Sequence, residues 1–152
     1  MNKEIINHNN DQKTHEIMFQ KNILEFCNKI LVSAVEHDLS KWSEKEYETF
    51  VNARSSLRGS KTGKDKDYQK TFLTEAVQHH VLNNPHHPEY WDRLDKPMPV
   101  QYVIEMFFDW YSRCQQKGTP FNDFWDYNLS KLSNQPHAKV IVECLKRDIC
   151  DE

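Results

Sequence analysis

The sequence is organised around HHVLNNPHHPEYW, residues 79–91, which holds four of the eight histidines of the chain within nine positions. A proline, a carboxylate and two aromatic residues follow the last of these histidines. Histidine has no marked preference for helix or strand, so packing alone rarely gathers four of them so closely. Imidazole is the commonest protein ligand of transition metals. The stretch therefore predicts one part of a metal site, whose other ligands come from elsewhere in the chain.

Length and composition favour one globular domain. The chain has 152 residues, of which 38% are hydrophobic and 28% are charged, and its net charge is −3. This charge gives no signal for nucleic acid or for an anionic membrane surface. No apolar run approaches the roughly 18 residues of a membrane span, and the N-terminus lacks a signal-peptide pattern. The cysteines form no C-x-x-C pair, so we expect reduced thiols in a cytoplasmic protein: Cys27, Cys114, Cys144 and Cys150.

The fold class follows from glycine content and hydrophobic spacing. Only three glycines are present, and apolar residues recur at three- and four-residue intervals, which predicts an all-α fold. Residues 1–11 are polar and rich in asparagine, so we expect a flexible N-terminal arm. Residues 12–152 are predicted to form a single helical domain, with a long apolar-faced helix first and a heavily buried helix over 100–115.

Candidate metal ligands flank otherwise apolar helical segments, where an unpaired polar group would be costly. His79 points about 100° away from His80 on a helix and is the weaker candidate. His86 and His87 share a turn constrained by proline, and either could be the ligand while the other binds substrate or supports a ligand. In chain order the candidate ligands are His15, His37, Asp38, His80, His86, His87 and Asp109.

The number of donors predicts the kind of site. Five or six imidazoles and two carboxylates exceed what one tetrahedral zinc ion needs. They favour two transition-metal ions, of Fe, Mn, Zn or Co, over calcium or magnesium, which prefer oxygen ligands. Two ions a few ångströms apart generate a hydroxide nucleophile and clamp a phosphoryl group. At a helix end, His37 and Asp38 can reach two such ions, with the carboxylate bridging.

The sequence leaves more than one role open for His15 and for Glu105. His15 lies 37 − 15 = 22 residues before His37, or about 33 Å along one straight helix. Both can bind one site only if the chain reverses between them, which predicts a break near Asn28. Glu105 shares a helical face with Asp109. It could accept a hydrogen bond from a ligating imidazole, act as a general base, or be a surface charge.

Two resemblances rest on these residues. The segment HDLSK, residues 37–41, resembles the signature of HD-domain metal-dependent phosphohydrolases, and the order H…HD…H…HH…D is similar to that of their dinuclear members. More closely, HDLSKWS, HHVLNNPHHPEYW and EMFFDW are similar to the motifs of an uncharacterised family of small phage and bacterial proteins, over about residues 14–115. That family implies no activity.

The HD-domain resemblance implies an HD-like helical bundle with the metal site between helices. It assigns the ligands by position, with His15 as the upstream histidine, and it implies that Lys41 contacts phosphate. A phage-encoded chain would act in the cytoplasm of its host. No G-Y-P element follows His87, so hydrolysis of a cyclic dinucleotide is not expected.

Three functions remain open. The first is a metal-dependent phosphohydrolase acting on a small phosphorylated molecule such as a nucleotide, with Lys41, Glu89 and Glu105 as its catalytic residues. The second is a diiron oxygenase on the same scaffold, because a fold does not determine chemistry. The third is a non-catalytic phage accessory protein with a structural metal site. We also expect a homo-oligomer.

Overall fold

A computed structural model describes residues 3–59 and 74–150, and the regular secondary structure within these ranges is entirely helical. The predicted all-α class is confirmed. Within the described ranges no helix is long and apolar enough to cross a membrane. The elements are α1 (Lys3–Glu36), the 3₁₀ helix η1 (Leu39–Trp42), α2 (Glu44–Gly59), α3 (residues 74–83), α4 (Pro88–Arg93), α5 (Val100–Lys117), α6 (Phe121–Asn128), the 3₁₀ helix η2 (Leu129–Leu132) and α7 (Pro136–Ile149).

Helix α5 lies at the centre and packs against α1, α6 and α7. It ends at Gly118, which has φ = 64° and satisfies the last carbonyl groups of the helix in a Schellman arrangement. The apolar side chains of α5 interlock with those of the C-terminal helices, which gives the protein its hydrophobic core. The core residues are Met98, Val103, Met106, Phe107, Trp110, Cys114, Phe121, Trp125, Leu132, Ala138 and Val142.

The structure corrects two predictions about α1. Residues 3–11 are helical and form the first turns of α1, whereas composition predicted a loose arm. The predicted break near Asn28 is wrong, because α1 continues without interruption to Glu36. Every side chain from residue 7 to residue 29 is exposed, including Leu24 at 68%. Such an apolar surface is typical of interfaces, and the expected homo-oligomer stays a prediction.

Candidate metal centre

The end of α1 aims two adjacent side chains at one point. Asp38 has φ = 60°, in the left-handed region that aspartate tolerates better than most residues. The chain therefore turns sharply after His37, and the Asp38 carbonyl accepts the Lys41 amide hydrogen that begins η1 (2.9 Å). Lys41 Nζ also donates to Asp38 Oδ2. As a result, His37 and Asp38 face the same cluster of side chains although they are neighbours in sequence.

The turn between α3 and α4 presents the histidines of the opening stretch. Helix α3 ends where the Asn84 amide and side chain both donate to the His80 carbonyl, at 3.1 and 2.7 Å. Pro85 has no amide hydrogen with which to continue the helix, and its carbonyl accepts the indole N–H of Trp91 (2.6 Å). Pro88 then begins α4. His80 thus lies in the last turn of α3, and the following two histidines lie in the fixed turn beyond it.

Six of the predicted ligands converge from these segments and from α5. His80 Nε2 and His86 Nε2 lie 3.0 and 3.5 Å from Asp38 Oδ1. His37 Nε2 lies 3.3 Å from the other carboxylate oxygen, Asp38 Oδ2, and 3.4 Å from Asp109 Oδ1. Atoms bound to one ion at about 2.1 Å are roughly 3.0 to 3.4 Å apart in octahedral or tetrahedral geometry. The spacing of these donor atoms therefore matches that of ligands around shared ions.

The donor atoms form two overlapping groups. Those of His80, His86 and His87 lie within 4.8 Å of one another, and so do those of His37, Asp38 and His86. His86 belongs to both groups, and the two oxygens of Asp38 face different imidazoles. Each group could hold one ion, so the residues present would suit two neighbouring ions.

Glu105 fixes the orientation of two imidazoles. Its Oε1 lies 3.1 Å from His37 Nδ1 and 3.1 Å from His86 Nδ1, and Ser33 donates to its Oε2. A carboxylate only accepts hydrogen bonds, so both rings donate from Nδ1 to Glu105, and Nε2 is the ring nitrogen that faces the cluster. Carboxylates commonly orient metal-binding histidines in this way.

Glu46 orients His80 in the same way and also contacts His79. It is completely buried, and its Oε2 lies 3.1 Å from His80 Nδ1 while its Oε1 lies 2.6 Å from His79 Nδ1. Ser40 donates to Glu46 Oε2 (3.0 Å) and accepts a hydrogen bond from Asn84 (2.8 Å). His80 Nε2 is thereby also left as a lone pair that faces Asp38. His79 contacts Glu46 and so supports the site without facing the cluster.

Several buried polar atoms of the cluster have no hydrogen-bond partner among the described residues. Such atoms are rare in folded proteins because each loses its hydration without compensation. For His80 and His86 they are the Nε2 atoms opposite an Nδ1 that faces a carboxylate. A bound cation would satisfy them, so the donor set fits the expected metal. The atoms are Asp38 Oδ1, His80 Nε2, His86 Nε2, His87 Nε2 and Glu89 Oε2.

The electrostatics of the cluster also call for a cation. Contacts with Asp109, Asp38 and Glu105 raise the pKa of His37 to about 11, so the protein without metal holds a proton there. Burial opposes ionisation of Asp38, but the contacts of its carboxylate with His37 and Lys41 hold its pKa well below the ordinary value. The carboxylates are therefore ionised at neutral pH, and a metal ion can replace the proton of His37.

Other ionisable groups of the cluster are held in their ligating forms. Burial, assisted by the neighbouring His86 and His80 rings, lowers the pKa of His87 to about 3, so this imidazole is neutral at pH 7. Burial raises the pKa of Glu105, but the bonds from His37, His86 and Ser33 outweigh it and lower the pKa to about 2. Neutral imidazoles and ionised carboxylates are the forms that bind metal.

The structure separates the predicted residues into three groups. It brings together His37, Asp38, His80, His86, His87 and Asp109. It places His15 on the exposed part of α1, at a helical distance of about 32 Å from the end of that helix, so His15 is not part of the site. The third group comprises the residues predicted to be catalytic, which are Lys41, Glu89 and Glu105.

The three residues predicted to be catalytic surround the cluster. Glu105 accepts hydrogen bonds from imidazoles, which is one of the three roles that the sequence left open. Lys41 pairs with Asp38, and its predicted contact with phosphate stays a prediction. Glu89 lies in the first turn of α4, and its buried Oε2 has no partner among the described residues.

Sequence reasoning missed Glu46 as part of the site. The segment Ser43-x-x-Glu46 matches a capping box, but Ser43 Oγ donates to the Ser40 carbonyl (2.6 Å) and Glu46 turns to the histidines. A signal was available, because Glu46 precedes Phe50 by four residues and so lies on the same face of α2 as this large apolar residue. A carboxylate on a buried helical face requires a partner.

The comparisons with known proteins give a family but no activity. Residues 4–148 match a family of unknown function (DUF5662), and the chain belongs to this family. No curated protein and no solved structure matches the chain.

Proposed function

We propose that this protein is a metal-dependent phosphohydrolase that acts on a small phosphorylated molecule such as a nucleotide. The observation that carries the proposal is the set of buried, unpartnered donor atoms, spaced like ligands and gathered around the carboxylate of Asp38. Imidazole-rich donors of this kind select Fe, Mn, Zn or Co. Two such ions supply a hydroxide nucleophile at neutral pH and neutralise the charge that develops on a transferring phosphoryl group.

Other residues of the chain would orient the ligands, supply positive charge and transfer a proton. Glu105 and Glu46 hold the rings of His37, His86 and His80 in the tautomer that leaves Nε2 free to bind. Lys41 holds Asp38 in place and adds positive charge beside the cluster. Glu89 is the candidate for moving a proton to the leaving group, because its Oε2 is buried beyond the second histidine of the turn and has no described partner.

Access to the cluster also supports a catalytic site over a structural one. Asp38 lines two cavities, of about 340 and 620 Å³, which share no other lining residue. Structural metal sites are closed, whereas catalytic sites keep a position open to substrate. The larger cavity carries basic side chains, which suits an anionic substrate.

Metal analysis of the purified protein, coupled to release of phosphate from a panel of phosphomonoesters and nucleotides, tests the proposal. We expect bound Fe, Mn, Zn or Co, and phosphate release that a chelator abolishes and the metal restores. Asp38→Ala and His86→Ala should lose both metal and activity. His8→Ala is the matched control, because His8 is exposed on α1 outside the cluster, and it should retain both.

Four outcomes would contradict the proposal. Absence of metal, or full activity of Asp38→Ala, would remove its basis. Iron-dependent consumption of O₂ without release of phosphate would support the diiron oxygenase. Bound metal with no turnover of any phosphate ester would support a non-catalytic protein with a structural metal site.

A further inference from the structure

The larger of the two cavities lies between η1, α2 and the C-terminal part of α5, and we call it the basic cavity. Its volume of about 620 Å³ is within the range of small-molecule sites. Asp38 is one of its lining residues, so a molecule bound there would lie beside the candidate metal centre. Its lining residues are Asp38, Lys41, Trp42, Tyr47, Phe50, Val51, Arg113 and Lys117.

One wall of the basic cavity carries positive charge that the cluster does not use. Arg113 and Lys117 continue the four-residue spacing of Glu105 and Asp109 along α5, and so extend the same stripe away from the candidate metal centre. Lys41 is paired with Asp38. No carboxylate in the described ranges forms a salt bridge with Arg113 or Lys117, and Arg113 donates only to the Gln116 amide oxygen (3.1 Å) among the hydrogen bonds of those ranges.

A second wall offers an exposed aromatic surface. The rings of Trp42 and Tyr47 are stacked, with centroids 5.6 Å apart and an angle of 24° between their planes. Trp42 is 74% exposed and Tyr47 is 45% exposed. Large aromatic side chains gain most when a flat apolar group covers them, and nucleobases stack on such rings with little dependence on sequence.

These two walls together select a class of substrate. We infer that the basic cavity binds the non-reacting part of a nucleotide with more than one phosphate group, with the base against Trp42 and Tyr47 and the additional phosphate on Arg113 and Lys117. The inference rests on the proposed function, because it assumes that the reacting phosphoryl group lies beside Asp38 and is hydrolysed there. Arginine suits the recognition of that additional phosphate because its planar fork donates two parallel hydrogen bonds.

Calorimetric titration of the metal-loaded protein with ADP, AMP and inorganic pyrophosphate tests the inference without requiring turnover. We expect ADP to bind at least about tenfold more tightly than AMP, because only ADP has a phosphate left for Arg113 and Lys117. Arg113→Gln and Lys117→Gln should each reduce the preference for ADP over AMP. Trp42→Leu should weaken ADP and AMP by a similar factor of about ten, and should leave pyrophosphate binding as in the wild type.

Matched controls lie on exposed positions away from the basic cavity. Lys131→Gln removes a positive charge on η2, and Tyr127→Leu removes an aromatic ring that is 85% exposed on α6. Both variants should bind all three probes like the wild type. Metal content is measured for every variant, so that a loss of binding through the metal site is recognised.

The outcomes distinguish this inference from the proposed function. If ADP binds with the expected dependence on Trp42 and Arg113 but no phosphate is released, the cavity assignment stands and the phosphohydrolase proposal fails. If simple phosphomonoesters are hydrolysed while ADP fails to bind at millimolar concentration, or binds equally well to Trp42→Leu and Arg113→Gln, the cavity assignment is wrong and the phosphohydrolase proposal stands.

Discussion

The two halves of the described structure are buried by different kinds of side chain. From Met98 onwards the buried residues are mainly large apolar groups, such as Phe107 and Trp125. Before Met98 the described side chains that become buried are mostly polar, and the apolar ones among them are small. These residues are Glu46, Ala76, His80, Asn84, His86 and Pro88.

This difference indicates that the stability of the two halves depends on metal to different degrees. Burial of apolar surface stabilises the C-terminal half without any ligand. The buried imidazoles and carboxylates of the N-terminal half stabilise it only when their polar atoms are satisfied, since an unsatisfied buried donor or acceptor costs about 1–3 kcal/mol. Metal binding should therefore contribute directly to the folding of the N-terminal half.

The largest expected effect is on the apolar half. Phe107→Ala removes a completely buried ring that contacts the rings of Phe121 and Tyr111. The free energy of unfolding should fall by about 3–5 kcal/mol, both with and without metal. Urea unfolding followed by circular dichroism measures it, with Val140→Ala, 64% exposed, as a control that changes it by less than about 0.5 kcal/mol. A loss that appears only without metal would contradict the comparison.

Removal of metal should affect the other half selectively. At a metal concentration 100 times the dissociation constant, binding contributes about 2.7 kcal/mol to stability, which a chelator removes. We expect amide hydrogen exchange to accelerate in residues 37–46 and 74–87 while α7 keeps its protection. Added metal should reverse the change. Equal acceleration in α7 would mean that the two halves unfold as one unit and do not differ in their dependence on metal.

Glu105→Gln and Glu46→Gln should weaken metal binding without removing a ligand. Glutamine keeps the shape of glutamate but accepts hydrogen bonds more weakly, so the ligating imidazoles are less firmly held. Each variant should bind metal about 10–100-fold more weakly in competition with a chelator. Glu105 holds two imidazoles of the cluster and Glu46 holds one, so we expect the larger loss for Glu105. Glu48→Gln, exposed on α2, is the control.

The sequence was most informative where chemistry and local geometry coincide. The all-α class followed from hydrophobic spacing, and the turn that holds His86 and His87 followed from the two prolines beside it. The convergence of Asp38 and Asp109 with these histidines followed from the cost of leaving such groups unpaired on apolar helices.

The failures have separate physical causes. The break near Asn28 was needed only to bring His15 to the site, and nothing in the local sequence of α1 forces a bend. Glu46 matched a local capping pattern, but a tertiary contact with His80 uses its carboxylate in place of the cap. Local preferences of a few tenths of a kcal/mol are easily overridden by buried, charge-assisted hydrogen bonds. Sequence reasoning therefore located the residues of the candidate metal centre better than the groups that support them.

Acidification of the metal-free protein should have a smaller effect. Because the pKa of His87 is about 3 in the folded chain and about 6.5 in the unfolded chain, only the unfolded chain gains this proton between pH 7.5 and pH 6. His87 should therefore cost the folded state about 1 kcal/mol over that interval. His37 acts in the opposite direction, since its pKa is raised to about 11, but this contribution is common to the wild type and a variant at His87.

The comparison with His87→Asn isolates this contribution to the pH dependence. Asparagine is favoured at the position before a helix, so the variant keeps the start of α4. With a chelator present, the stability of the variant relative to the wild type should increase by about 1 kcal/mol from pH 7.5 to pH 6. Parallel pH profiles of the two proteins would show that His87 is not held neutral in the folded state.

The smallest expected effect is that of His15→Ala. His15 is exposed on a helix that continues without interruption to Glu36, so it cannot reach the donor cluster from this position. Metal content and activity should equal those of the wild type, and the free energy of unfolding should change by less than about 0.5 kcal/mol. Loss of metal in this variant would mean that α1 bends back and brings His15 to the cluster, or that the histidine of a second copy completes the site. Measuring the metal content of a mixture of His15→Ala and Asp38→Ala would separate these two explanations, because only exchange between copies restores a complete site.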